Sequence, residues 1–185
     1  MDVFEAIHNR RSHKKVKPDA VPRELIEKML EAAAQAPNHY RVRPWRFVVM
    51  TGEARHRLGH AMSESLRERH PGYPREAFDK AHATPLQAPV VIAVGVDKPS
   101  ESKVLEIENI SAVAAATQNL LLAAHALGLG AKWRTGAWAL DAKVKQFLGF
   151  TQDQHILAFV YVGYPDAPLD PLPRPSYQDR TIWME

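Results

Sequence analysis

Three short stretches of this sequence carry side chains that could do chemistry. The first is Arg10-Arg11-Ser12-His13-Lys14-Lys15. Two guanidiniums and a hydroxyl can hold a phosphate through charge-assisted hydrogen bonds, each worth about 1.5–3 kcal/mol. The same basic residues would also favour the dipole at the end of a helix, and Lys15 and Lys17 are equally at home in water. The second stretch is Ala36-Pro37-Asn38-His39-Tyr40, with Pro44-Trp45 following. A helix stopped by proline and continued by polar residues can present amides and side chains to a planar ligand. It can also be an ordinary helix-to-strand connection with Asn38 forming the turn. The third is Lys132-Trp133-Arg134-Thr135-Gly136. Arg134 offers another anion ligand and Gly136 allows close backbone approach. A strand end with exposed charge would read the same way.

Other chemistries lack their signals. Gly128-Leu129-Gly130 is followed by Trp133 where a dinucleotide fingerprint needs a third glycine. No phosphate-binding P-loop and no Gly-x-Ser-x-Gly elbow occurs. The nine histidines never adopt His-Glu-x-x-His spacing. His56 and His60 could share a helical face, but Arg55 and Arg57 beside them favour a solvated surface, and no metal site is expected. The absence of cysteine removes disulfides, thiolate metal sites and a cysteine nucleophile together.

The elements that must position these residues follow from pattern. Of 185 residues, 45% are hydrophobic and 24% charged, which suits a single domain over 1–185 with its own core. Asp2 is placed to cap a first helix over residues 2–9, with Val3, Phe4 and Ile7 as its apolar stripe. A second helix is expected from Pro22, its first helical residue, with Pro37 ending it. Trp45 to Met50 reads as a buried strand, residues 53–69 as a charged amphipathic helix and residues 75–82 as a short helix. A second strand is expected over 88–96. The longest helix is expected over 103–127. Its second half is apolar on nearly every face, which in so small a domain implies cover from another subunit. A strand at 131–134, a helix at 141–148 and a strand at 156–163 complete the body. Pro165, Pro168, Pro171, Pro173 and Pro175 make residues 165–185 an extended arm, with Trp183 as an anchor for a neighbour. Four strands among more numerous helices predict an α+β layer rather than a doubly wound nucleotide fold.

Thr117, Gln118, Asn119 and His125 interrupt the one long apolar stretch, so no membrane span is expected. The N-terminus lacks the order of a signal peptide, and a cytoplasmic location is expected. A net charge of +3 and a pI near 9.2 would suit an anionic ligand or nucleic acid.

Taken in order, Arg10-Arg11-Ser12, then Ala36-Pro37-Asn38-His39 with Pro44-Trp45-Arg46-Phe47, then the long apolar helix with Gly128-Leu129-Gly130-Ala131-Lys132-Trp133-Arg134-Thr135-Gly136, resemble the nitroreductase family over nearly the whole chain. The likeness is greatest to its short members. It implies a mostly antiparallel mixed sheet flanked by helices in an α+β sandwich, a homodimer through long central helices, and FMN at the subunit interface. By similarity, Arg10, Arg11 and Ser12 would hold the phosphate and ribityl chain, and Lys14 would approach the pyrimidine edge of the ring. Gln35, Pro37, Asn38 and His39 would reach the flavin from the other subunit. Trp133, Arg134 and Thr135 would complete the phosphate end, with Gly136 beside them. Many larger members carry two small hydroxyl residues where this chain has Asn38 and His39. These two and Tyr40 would narrow the space over the ring, which places Tyr40 toward substrate. The helical insertion of larger members would shrink to about residues 67–84 or be absent.

The resemblance also implies NAD(P)H as electron donor, a small-molecule oxidant and a ping-pong cycle in which the flavin carries the chemistry and no side chain must act as general acid. A hydrogen-bonding or packing role is favoured for His39 over proton donation to product. The alternatives are another flavin reaction on the same fold (a dehydrogenase or reductive dehalogenase), a non-catalytic FMN carrier, and a basic nucleic-acid-binding domain. The last would need aromatic residues interleaved with Arg10 to Lys17, and there are none.

Overall fold

The stretch Val90-Val91-Ile92-Ala93-Val94-Gly95-Val96 has no polar side chain, and its position explains why. In the computed structural model, which describes residues 1–168 and 173–185, it is an inner strand, β2, buried along its whole length. The sheet also contains β1 (Trp45–Thr51), β3 (Gly130–Arg134) and β4 (His155–Gly163), in the order β1-β2-β4-β3 with every pair antiparallel. A strand covered on both faces must be apolar at both odd and even positions.

Helices cover each face. On one side lie α2 (Arg23–Ala34) and α5 (Glu106–Ala126), packed on Val90, Ile92, Val94 and Val96. On the other are α3 (Glu53–Arg69), α4 (Arg75–Ala83), the single turn α6 (Ala137–Leu140) and α7 (Ala142–Phe147), packed against Val91 and Ala93. The short α1 (Val3–Asn9) lies against α5. This is the expected α+β sandwich.

Several boundaries depart from expectation. Trp45 to Met50 does not form a buried strand: β1 is at the sheet edge and only half covered. Pro22 sits one residue before the first helical position of α2. The long helix begins at Glu106 rather than 103, because Leu105 is extended and the Glu108 carboxylate accepts its amide at 2.9 Å. A 3-10 turn over Thr84–Gln87 delays β2 to Val90. The turn α6 was not foreseen. Asp141 caps α7, its Oδ1 accepting from the Val144 amide at 3.0 Å. Among the described residues of the C-terminal arm, Pro165 forms an isolated bridge with Val16 and Gln178–Arg180 a 3-10 turn, the rest being irregular, and Pro171 lies outside the described residues. The 67–84 region is the end of α3, a loop and α4, which buries Phe78 and Ala81.

Candidate functional site

Arg10 to Lys17 leaves α1 as extended chain along the outer edge of β3. Asp2 starts α1 by accepting the Glu5 amide at 3.0 Å, and Arg10 stops it with φ −54 and ψ 131. Ser12 then forms a parallel bridge with Ala131, the His13 amide donates to the Ala131 carbonyl at 3.1 Å, and the Lys17 amide donates to Tyr164 at 2.8 Å. Gly130 permits this approach: a Cβ there would come within 2.9 Å of the His13 ring. Sequence and fold thus fix the basic segment in one place.

Two groups of cations result. Arg10 and Arg11 stand at the C-terminal end of α5, near His125. Arg174, from the C-terminal arm, donates to the Arg10 carbonyl at 2.8 Å. Burial, then the charges of Arg174 and Arg11, pull Arg10 below the ordinary arginine range. Its Nε is buried without a hydrogen-bond partner. Burial, then Arg10 and Arg11, hold His125 below the usual imidazole range, against the smaller pull of Glu5. Burial and then His125 do the same to His13. A partly desolvated cluster of like charge is where an anion gains most.

The second group is a small cleft lined by His13, Lys14, Gln87, Lys132, Arg134 and Tyr161. Arg134 donates to Gln87 Oε1 at 2.9 Å and lies 5.1 Å from the centre of the Tyr161 ring. The structure therefore groups Arg134 with Lys14 rather than with Arg10. Across the parallel Ser12–Ala131 bridge, Arg10 and Arg134 are five positions out of step, about 16 Å of extended backbone. Trp133 turns its indole Nε1 to the Leu157 carbonyl at 3.2 Å and braces β4. Thr135 and Gly136 are exposed before α6, with Gly136 at φ +101, a conformation costly for any other residue.

Pro37, Asn38 and His39 lie elsewhere. With Ile107, Glu108, Ser111, Ala112 and Ala115 they line a cavity of about 460 Å³ beside the N-terminal half of α5. Gln35 is exposed at the end of α2. Asn38 organises the loop: its Oδ1 accepts the Arg43 amide at 2.9 Å and its Nδ2 donates to Ala36 at 3.3 Å. Tyr40, Arg41 and Arg43 all have φ between 50 and 57. Left-handed backbone costs a non-glycine residue roughly 1–2 kcal/mol, and such strain persists only where its surroundings hold it. Tyr40 is exposed, with Lys103 Nζ 4.8 Å from its ring centre. His39 Nδ1 lies 3.1 Å from Glu108 Oε1.

From Glu108 to His125 is seventeen residues of α5, about 25 Å at 1.5 Å per residue. The two predicted halves of the site therefore stand at opposite ends of one helix. Sequence reasoning missed Arg174, Gln87, Glu108 and His125, which reach the site only through tertiary contacts. The basic residue within the proline-rich arm was the one available hint. Among the described residues, no group of three or more His, Cys, Asp or Glu is placed to hold a metal, and no helix is long and apolar enough to cross a membrane.

The nitroreductase family model matches residues 7–164. An Escherichia coli protein, provisionally named NAD(P)H nitroreductase YdjA, is 32% identical over 165 residues, covering 89% of each chain. The crystal structure of a nitroreductase-like family protein from Bacillus cereus superposes with a TM-score of 0.84 at 25% identity, covering 100% of this chain and 97% of the other. A provisionally assigned nitroreductase from Desulfovibrio desulfuricans, solved in complex with FMN, superposes with a TM-score of 0.74 at 28% identity and the same coverage.

Proposed function

This chain belongs to the nitroreductase family, and from that premise we propose that it is an FMN-dependent oxidoreductase moving two electrons from NAD(P)H to a nitro compound, quinone or similar small oxidant in a ping-pong cycle. The observation that carries the reading is the buried, unpartnered Nε of Arg10 within a cluster of guanidiniums held by α1, β3 and the C-terminal arm. Such a cluster fits the phosphoryl group of a mononucleotide, and the FMN complex of the Desulfovibrio desulfuricans structure supports the same ligand.

When bound, FMN supplies hydride acceptance and donation at N5. The chain's own residues bind and orient. Arg10, Arg11 and Arg174 hold the phosphoryl end, with Ser12 toward the ribityl chain. Lys14 and Arg134 share the cleft farther along β3, so we assign Arg134 to the ring end rather than to the phosphate. Their charge favours electron density on the pyrimidine edge. Thr135 and Gly136 lie just past that cleft.

One chain offers these groups at one end of α5 and Pro37, Asn38 and His39 at the other. A twofold axis that packs two copies of α5 antiparallel would bring the opposite ends together, so that each site takes residues from both copies. Half-buried Ala115 and Leu122, flanked by exposed Ser111 and Gln118, give α5 a face suited to that packing. Ile182, Trp183 and Met184, all at least 79% exposed, give the arm an apolar tip for the neighbour.

The test is the visible spectrum of the purified protein and mass identification of any released flavin. Consumption of NADH and NADPH is then measured with nitroarenes, quinones and halogenated phenols. A yellow protein that oxidises either nucleotide supports the reading. A chain that takes up no FMN on titration overturns it.

A further inference from the structure

We infer that His39, fixed by Glu108, gives the substrate its proton when the oxidant is reduced. The inference rests on the proposed flavin reading and goes beyond it, because that reading needs no acid from the protein.

His39 and Glu108 face the same cavity, with imidazole Nδ1 3.1 Å from carboxylate Oε1. The carboxylate is held from a second side, since its other oxygen accepts the Leu105 amide at 2.9 Å in the first turn of α5. Glu108 is the more enclosed partner, its side chain 20% exposed against 63% for His39. A carboxylate this close to Nδ1 would favour the Nδ1–H form of the neutral ring and leave Nε2 facing away from Glu108. The small side chains of Ser111, Ala112 and Ala115 line the same cavity.

The chemistry requires one proton per turnover. Reduction of a nitro group to nitroso and water, or of a quinone to hydroquinone, takes one hydride and one proton. FMN, when bound and reduced, would supply the hydride, so the chain's own residues need account only for the proton. The proton comes from Nε2 of the His39 imidazolium, whose Nε2–H bond breaks as the new O–H bond of the product forms. In the nitro case the N–O bond breaks and the oxygen leaves as water. His39 is left neutral and recovers its proton from solvent. On this account His39 is a catalytic residue and Glu108 a positioning residue.

The experiment uses the flavin-loaded protein and His39→Gln, with rates expressed per bound FMN. Turnover with a quinone is compared with turnover with ferricyanide, an electron acceptor that takes no proton. The expected result is a quinone-to-ferricyanide ratio lowered on the order of 100-fold, at the low end for general acid catalysis. An unchanged ratio, with both rates falling in parallel, overturns the proposal and leaves His39 as a binding residue. ¹⁵N NMR of the flavin-free protein tests Glu108 without turnover. Wild type should show the Nδ1–H form of His39, and Glu108→Gln should lose that preference, because Gln puts an N–H donor in place of one of the two oxygens that face Leu105 and His39. An unchanged tautomer overturns the positioning role. A wild-type chain that takes up no FMN removes the underlying reading, and the proposal with it; a flavin-loaded His39→Gln protein with an unchanged ratio removes the proposal alone.

Discussion

The two ends of α5 solve different problems. At its C-terminal end, Arg10, Arg11 and Arg174 crowd together beside His125, and their mutual repulsion is tolerated in a partly buried place. At its N-terminal end the His39 ring lies 3.1 Å from the Glu108 carboxylate with no crowding of like charges, and the strain lies in the backbone of Tyr40, Arg41 and Arg43 instead. The first end is built to gain energy when an anion arrives. The second is built to hold a shape whether or not anything arrives. Under the proposed dimer, each site combines a charge-selecting half from one copy with a shape-setting half from the other.

The largest expected effect lies outside both ends and calibrates the comparison. Asp141 is 7% exposed, and its Oδ2 accepts from Ser65 Oγ at 2.6 Å and from Arg69 at 2.8 Å. Asp141→Ala should cost about 3–5 kcal/mol of stability, because it strands these partners and removes the cap of α7. Urea unfolding checks this. If flavin affinity of the folded fraction changes as much as stability does, the site and the scaffold are not separable.

At the charged end, Arg10→Ala should weaken FMN binding by about 1.5–3 kcal/mol, roughly 10- to 150-fold by fluorescence titration. Arg174→Ala should act in the same direction. Arg134→Ala should act less on affinity than on the rate of flavin reduction, since it accompanies Lys14. Equal affinity losses for Arg134→Ala and Arg10→Ala would return Arg134 to the phosphate.

At the shaped end, Asn38→Ala should lower stability by about 1 kcal/mol through loss of the Arg43 amide contact, and should also weaken FMN binding, because the loop proposed to reach the flavin is no longer held. Thermal unfolding of the flavin-free protein measures the first part. No loss of stability would mean that the left-handed run holds itself.

The smallest effect is a pH dependence confined to the charged end. His13 and His125 are held below the ordinary imidazole value of about 6.5, so below that pH the unfolded chain binds more protons than the folded one. Stability from this source is therefore lost as pH falls through 6.5 toward the depressed folded values. The melting temperature of the flavin-free protein should drop more between pH 7.5 and 5.5 in wild type than in His125→Gln. An equal drop would place the burden on other groups.

How far the sequence reads this molecule depends on how local each cause is. Asp2 as a cap, Pro37 as a stop, the all-apolar β2 and the long, mostly apolar second half of α5 are local signals, and each reappears in the fold. The edge position of β1 is not local. Trp45 to Met50 carries no alternation that distinguishes an edge from an inner strand, and strand order comes from pairing across the chain. The basic segment after α1 was legible as charge, but its separation of Arg10 from Arg134 follows from a parallel bridge between residues far apart in sequence. Arg174 meets Arg10 from 164 residues away. The left-handed run at Tyr40, Arg41 and Arg43 has no glycine to announce it, because Asn38 and the packing around it impose the conformation.

The central claim is that each flavin site is assembled from opposite ends of α5 in two copies of the chain, and a mixed dimer tests it most directly. Differently tagged Arg10→Ala and Asn38→Ala chains are co-expressed, and the heterodimer is isolated at an FMN concentration that fills wild type but neither mutant homodimer. One of its two sites should be wild type in both halves, so it should hold one FMN per dimer, read from the visible absorbance. A heterodimer that holds no more flavin than either homodimer would place Arg10 and Asn38 in the site of the same chain and contradict the account.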